Sequence, residues 1–248
     1  MRGFESSPDP PAAVGVIPGA GSAGLTWGRA AEMLGARVLP VPDRPSVPEM
    51  AAVLAPEVAV LLEPRVLVGA SLGAMVALEV ARQVPVQALV LIATGYGVVV
   101  GDSLLEWVAA NPPDLFPKMA RASLADRDDQ AAVAETVRDF EARGWQVVYG
   151  HLRALRAYRP EPLPDPPPTL VIWGEKDHSV PLADHAELAM RLNGVLAPVP
   201  GAGHKPFFEQ PEVTASWIRW AARWAAQTAA ERAGREASRL RPGGAPLR

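Results

Sequence analysis

The sequence predicts an α/β fold: a shortened, mainly parallel six-stranded sheet flanked by helices, with a helical insertion set into it. Three observations carry this. Six short apolar, β-branched runs alternate with stretches of helical spacing, the order that builds βαβ units. The run at residues 86–93 is apolar throughout, as a strand buried on both faces must be. Between residues 95 and 160 the alternation stops and only helical patterns follow, up to a linker with proline at 160, 162, 164 and 166–168.

Taken in order, residues 1–11 are polar and proline-rich and read as a tail. Residues 12–17 form the first strand, which runs into the glycine loop Pro18-Gly19-Ala20-Gly21-Ser22-Ala23-Gly24 and a helix over 25–34. A second strand at 38–41 contains Pro40, which places it at a sheet edge. Residues 49–62 have helical spacing, with Pro56 expected to kink or interrupt the helix. The third strand, at 65–68, leads through Gly69-Ala70-Ser71-Leu72-Gly73 into an Ala/Leu/Val helix. Helices are expected at 103–110, 116–125, 129–143 and 145–158 in the insertion, which holds all three tyrosines. The alternation resumes with strand 169–173, helix 182–192 and strand 195–199. A final helix starts near Pro211, with Val213, Trp217, Trp220, Ala221 and Trp224 on one face. The expected units are thus a discontinuous core of 1–94 and 161–229, a cap of 95–160 and a flexible tail of 230–248.

Composition narrows the chemistry. Half of the 248 residues are apolar, enough for one large domain with an insertion. A net charge of −3 gives no electrostatic case for nucleic acid. The chain has no cysteine, which excludes disulfides, thiol nucleophiles and thiolate metal sites. The four histidines, His151, His178, His185 and His204, form no H-E-x-x-H pattern, so no metal is expected. No run approaches a membrane span and no signal-type segment opens the chain, so a cytoplasmic location is expected. The expected partner is a small molecule, with no membrane or nucleic acid involved.

The chemistry is concentrated in three turns. Strand, G-x-S-x-G and helix follow one another around Ser71, the order a nucleophile elbow requires. The serine must sit on a tight turn where strand and helix converge, and glycine on both sides supplies the room. The strand 169–173 ends in Gly174-Glu175-Lys176-Asp177, and the next strand ends in Pro200-Gly201-Ala202-Gly203-His204. Serine, acid and histidine therefore each follow a strand at its carboxyl end, in that order, where parallel sheets collect ligands and catalytic groups.

On these segments, together with Val180-Pro181, Lys205-Pro206, Glu209 and Pro211, the sequence resembles the cap-bearing α/β-hydrolase superfamily over residues 14–224. The resemblance implies Ser71 as nucleophile, His204 as general base and then acid, and Asp177 as the residue orienting the imidazole. It also implies an oxyanion hole from the backbone N–H groups of Ala20 and Leu72. The family often has His-Gly where this chain has Pro18-Gly19, but a backbone donor does not depend on that histidine. Eleven residues before the first strand are too few for the antiparallel hairpin that usually begins the fold, hence the shortened sheet.

Other readings remain. Gly19-x-Gly21-x-x-Gly24, with Asp43 nineteen residues further on, matches the dinucleotide fingerprint of an NAD-binding oxidoreductase. That reading leaves Ser71, Asp177 and His204 without a role. Lyase or cyclase chemistry, or ligand binding alone, could use the same pocket. A serine nucleophile argues against dehalogenases and epoxide hydrolases, which use a carboxylate. Carbon–carbon-bond hydrolases often have tryptophan after the histidine, where this chain has Lys205. The expected activity is therefore hydrolysis of a carboxylic ester, lactone or thioester of a small, mainly apolar substrate, without a cofactor. Tyr96, Trp107, Trp145, Tyr149 and His151 are the expected pocket residues, in a cap that selects substrate while the sheet alone carries the chemistry.

Overall fold

Alternate residues of the inner strands feed two different hydrophobic cores, which is why those strands read as nearly unbroken apolar runs. Leu67, Leu89, Leu91 and Val171 point to one core. Val66, Val68, Val90, Ile92, Leu170 and Ile172 point to the other. The computed structural model describes residues 13–96 and 99–239, with side chains as far as residue 231. The expected tail at 1–11 and residues 240–248 lie outside the described residues.

The strands are β1 (Ala13–Ile17), β2 (Arg37–Val38), β3 (Arg65–Ala70), β4 (Ala88–Ile92), β5 (Thr169–Gly174) and β6 (Val195–Val199). They form one six-stranded sheet in the order β2-β1-β3-β4-β5-β6, with every neighbouring pair parallel. β3 lies in the middle, with Val66 opposite Val14 of β1 and Ala88 of β4.

On one face lie α1 (Gly28–Leu34), which follows a 3₁₀ turn at Leu25–Trp27, and α10 (Pro211–Arg239). The other face carries α2 (Val47–Ala59), α3 (Leu72–Ala81) and α8 (Leu182–Arg191). Between β4 and β5 come four helices and no strand: α4 (Asp102–Ala109), α5 (Leu115–Ser123), α6 (Gln130–Glu141) and α7 (Trp145–Ala157). A short α9 (Pro206–Glu209) follows β6. Among the described residues, no helix is long and apolar enough to cross a membrane.

Several expectations are corrected. β2 is two residues long, because Pro40 has no N–H to continue the ladder after Leu39 donates to the Val16 carbonyl at 2.8 Å. α2 runs through Pro56 without interruption and ends three residues later, at Ala59. The buried stripe of α10 is Thr214, Ala215, Ile218, Ala221 and Ala225, while Val213 is exposed. The tryptophans flank that stripe, half-buried, and Trp217 donates from Nε1 to the Pro198 carbonyl at 3.2 Å. α10 ends at Arg239.

Candidate active site

β3 and α3 meet at Ser71, whose backbone is forced to φ 53° and ψ −119°. This is a strained setting for a residue with a Cβ, of the kind held in place only by its surroundings. Those surroundings are named by the flanking glycines. A Cβ on Gly69 would come within 2.3 Å of the Gly73 carbonyl oxygen, and one on Gly73 within 2.2 Å of the Ile17 and Pro18 oxygens. Strand, elbow and first loop are in backbone contact, so only hydrogen fits at both positions. The Ser71 N–H is tied to the Ile92 carbonyl at the end of β4 (2.9 Å).

The acid and the histidine come from the two strands beyond. Asp177 lies in the turn after β5, its N–H bonded to the Gly174 carbonyl (2.8 Å). Its fully buried carboxylate takes the His204 Nδ1 at 2.8 Å on Oδ2 and the N–H groups of Ser179 (2.8 Å) and Val180 (3.1 Å) on Oδ1. Burial pulls the Asp177 pKa up. The hydrogen bond and charge of His204, with the two backbone donors, outweigh that and leave it below the ordinary carboxylate value.

Ser71, His204, Gly19 and Ala20 line one cavity of about 230 Å³. Its apolar wall is made by Leu104, Met119, Phe140 and Leu152 of the insertion together with Phe207 of α9. Leu72 is the first residue of α3, where a helix leaves its N–H groups without intrahelical partners. Ala20 lines the cavity with Ser71, and Leu72 follows Ser71 at the start of α3.

The expected pocket residues stand elsewhere. Tyr96 donates its hydroxyl to the Pro160 carbonyl (2.7 Å) and carries the Arg191 guanidinium over its ring (4.2 Å). Trp107, Trp145 and Tyr149 pack against the insertion's side of the core. His151 is wholly buried. Its Nδ1 accepts the Gly21 N–H (3.0 Å), which leaves Nε2 to donate to the Pro42 carbonyl (3.2 Å). Burial holds its pKa down at about 4, against the opposing effect of the Pro42 carbonyl. It clamps the insertion to the first loop and does not line the cavity.

Three side chains around the site were not legible as such. Asp139 of α6, fully buried, receives Ser22 Oγ (2.6 Å), Thr26 Oγ1 (3.0 Å) and the N–H groups of Ala23 (3.0 Å) and Leu25 (2.9 Å). These are the donors of the supposed dinucleotide fingerprint, and an internal carboxylate already occupies them. A Cβ on Gly21 would lie 2.2 Å from Val148 of α7, so helix also covers the loop where a pyrophosphate would have to enter. Glu209 of α9 accepts the Gly203 N–H (2.8 Å) and the Ala125 N–H (2.6 Å), and the His204 N–H bonds to the Ser123 carbonyl (3.0 Å). The insertion therefore braces the histidine loop directly, contrary to the expectation that the sheet alone holds the chemistry. Lys205, the third, lines the cavity beside His204. Sequence pattern offered a signal only for Glu209 and Lys205, through the resemblance; Asp139 is one acid among many on a polar helix.

A central parallel sheet presenting a strained serine turn and an Asp–His pair at the carboxyl ends of its strands, under a helical insertion, is the layout of the α/β-hydrolase fold. The chain belongs to the alpha/beta hydrolase family, whose model matches residues 16–217. Among solved structures it is similar to a thermophilic esterase, with 24% identity and a TM-score of 0.75, covering 86% of this chain and 90% of that one. It is also similar to the type II thioesterase BorB from the borrelidin biosynthetic cluster (21% identity, TM-score 0.63, covering 87% and 95%). A hydrolase from Oleispira antarctica aligns at 13% identity with a TM-score of 0.73, covering 84% and 91%. At these identities the likeness is one of fold. No curated protein matches the chain in sequence.

Proposed function

We propose that the protein is a serine hydrolase that cleaves a carboxylic ester, lactone or thioester of a small, mainly apolar acyl group. Ser71 Oγ attacks the carbonyl carbon while His204 Nε2 takes its proton. Asp177 fixes the Nδ1–H tautomer and stabilises the imidazolium that forms. The N–H groups of Leu72 and Ala20 receive the charge that develops on the carbonyl oxygen. The tetrahedral intermediate collapses, the leaving oxygen or sulfur takes the proton from His204, and an acyl-Ser71 remains. Water, deprotonated by the same histidine, attacks this ester and releases acid and free serine.

The observation that carries the reading is the left-handed backbone of Ser71 in the same cavity as a histidine bonded to a buried carboxylate. A cavity of about 230 Å³ supports a small acyl group, being below the ~300–1,000 Å³ of drug-sized ligand sites. The insertion acts as a cap, because it supplies most of the apolar wall. The test is covalent. A fluorophosphonate should label Ser71, and Ser71→Ala should abolish both labelling and turnover of an activated short-chain ester. Labelling that persists on another residue would overturn the assignment.

A further inference from the structure

Lys205 follows His204 directly and lines the cavity, yet its side chain is only 8% exposed. Burying an ammonium costs several kcal/mol unless a partner compensates it closely. Here an ion pair with Asp139 compensates it only loosely. Nζ lies 3.5 Å from Thr26 Oγ1, 3.8 Å from Asp139 Oδ2 and 4.9 Å from the centre of the Phe140 ring. Asp139 does not depend on the lysine, since its two oxygens already take four donors at 2.6–3.0 Å; four is about the lone-pair capacity of a carboxylate. The ammonium has three N–H groups and at most one weak hydrogen bond. Surplus charged donors thus stand beside a mainly apolar pocket whose other polar lining, apart from the His204 imidazole, consists of the serines at 22, 71, 123 and 179.

We infer that Lys205 is an anion subsite, and that the preferred substrate carries a carboxylate on the acyl side, as in the monoester of a short dicarboxylic acid. The inference rests on the hydrolase reading above and adds the substrate's charge. A carboxylate beside Lys205 would receive the free N–H groups while its ester carbonyl faces Ser71. Burial lowers the Lys205 pKa to about 8, against the carboxylates of Asp139 and Glu135 on α6 and Glu209 on α9. The ammonium is therefore charged at neutral pH, and the subsite weakens as pH rises through that value.

The experiment compares monoethyl esters of four- to six-carbon diacids with neutral ethyl esters in which an isopropyl group replaces the carboxylate. For at least one length, wild-type kcat/KM should favour the anion by about tenfold or more, and Lys205→Met should cut that ratio about 10–100-fold. A wild-type preference for the neutral ester at every length would overturn the subsite, and this needs no variant to fold. An unchanged ratio in folded Lys205→Met would do the same. Calorimetry of the same ester pairs on Ser71→Ala separates the two readings. Selective binding of the anion without wild-type turnover sinks the hydrolase assignment and leaves the subsite, whereas turnover without selectivity sinks the subsite alone.

Discussion

Asp177 reaches His204 through one carboxylate oxygen, at 2.8 Å, while its other oxygen is held by the backbone of Ser179 and Val180. The acid is thus fixed before it touches the imidazole, and it can accept only an Nδ1–H. Asp177→Asn presents an amide that can donate to Nδ1 and so favours the wrong tautomer. Ester turnover should fall by about 10²–10⁴-fold with the fold retained. Glu175→Gln is the control. If that change is damaging and Asp177→Asn is harmless in steady-state kinetics, Glu175 is the orienting acid.

Gly73 has no room to grow. A methyl group there would press on the carbonyl oxygens of Ile17 and Pro18 at 2.2 Å, neither of which is a flexible chain end. Gly73→Ala should cost about 1–3 kcal/mol or more in urea unfolding. Labelling of Ser71 by the phosphonate should slow in whatever folded protein remains, because the elbow must shift to relieve the contact. Unchanged stability and labelling would show that the loop yields freely.

The clamp between His151 and Gly21 needs a neutral imidazole, since Nδ1 accepts the N–H. Its pKa is about 4 in the folded protein against 6.5 unfolded, with burial the main cause and the charges of Arg143 and Asp43 opposing one another. Between these values the unfolded chain binds the extra proton, so unfolding gains as pH falls. The contribution is complete above pH 6.5 and is lost progressively down to about 4. Between pH 7.5 and 4.5 this amounts to about 2–3 kcal/mol. Denaturant unfolding of wild type should show that loss, and His151→Gln should show less of it by about that amount. Parallel pH profiles for the two proteins would remove His151 from the account.

Chain-length preference should follow the residues that line the cavity and not the aromatic content of the insertion. Met119→Ala removes part of the apolar wall and should shift relative kcat/KM toward longer acyl chains by about tenfold, the scale of one or two methylenes. Trp107→Ala lies in the packing behind that wall and should lower stability with little change in preference. A reversed pattern would mean that the pocket opens toward α4 when substrate enters.

The sheet was legible because parallel strands covered on both faces must be apolar, as β4 is throughout and β5 is after Thr169. The elbow was legible because Gly69 and Gly73 report a steric demand that no other residue meets. The order of Ser71, Asp177 and His204 followed from strand ends. What stayed hidden is whatever depends on contacts between distant segments. His151 and Gly21 are 130 residues apart, and Asp139 and Ser22 are 117 apart. Asp139 on a polar helix looks like any solvated acid. The glycine loop reads as a nucleotide motif because backbone donors that await an anion look the same whether phosphate or an internal carboxylate answers them. Aromatic residues in the insertion mark its own core as readily as a binding wall, and here Trp107, Trp145 and Tyr149 pack in the core while Phe140 reaches the cavity.

Glu209 grips Gly203 and Ala125 with its two oxygens, and Ser123 holds the His204 N–H. A transplant of the insertion between relatives would therefore carry away half of the mount for the His204 loop. A chimaera keeping α4 to α7 from one parent and the sheet from another would be active only if the junction after α5 still offers a carbonyl at 123 and an N–H at 125. Because both are backbone groups, side-chain sequence places few demands on them. The geometry of that turn is what must be inherited intact, and it is the seam along which such hybrids would separate into working and silent ones.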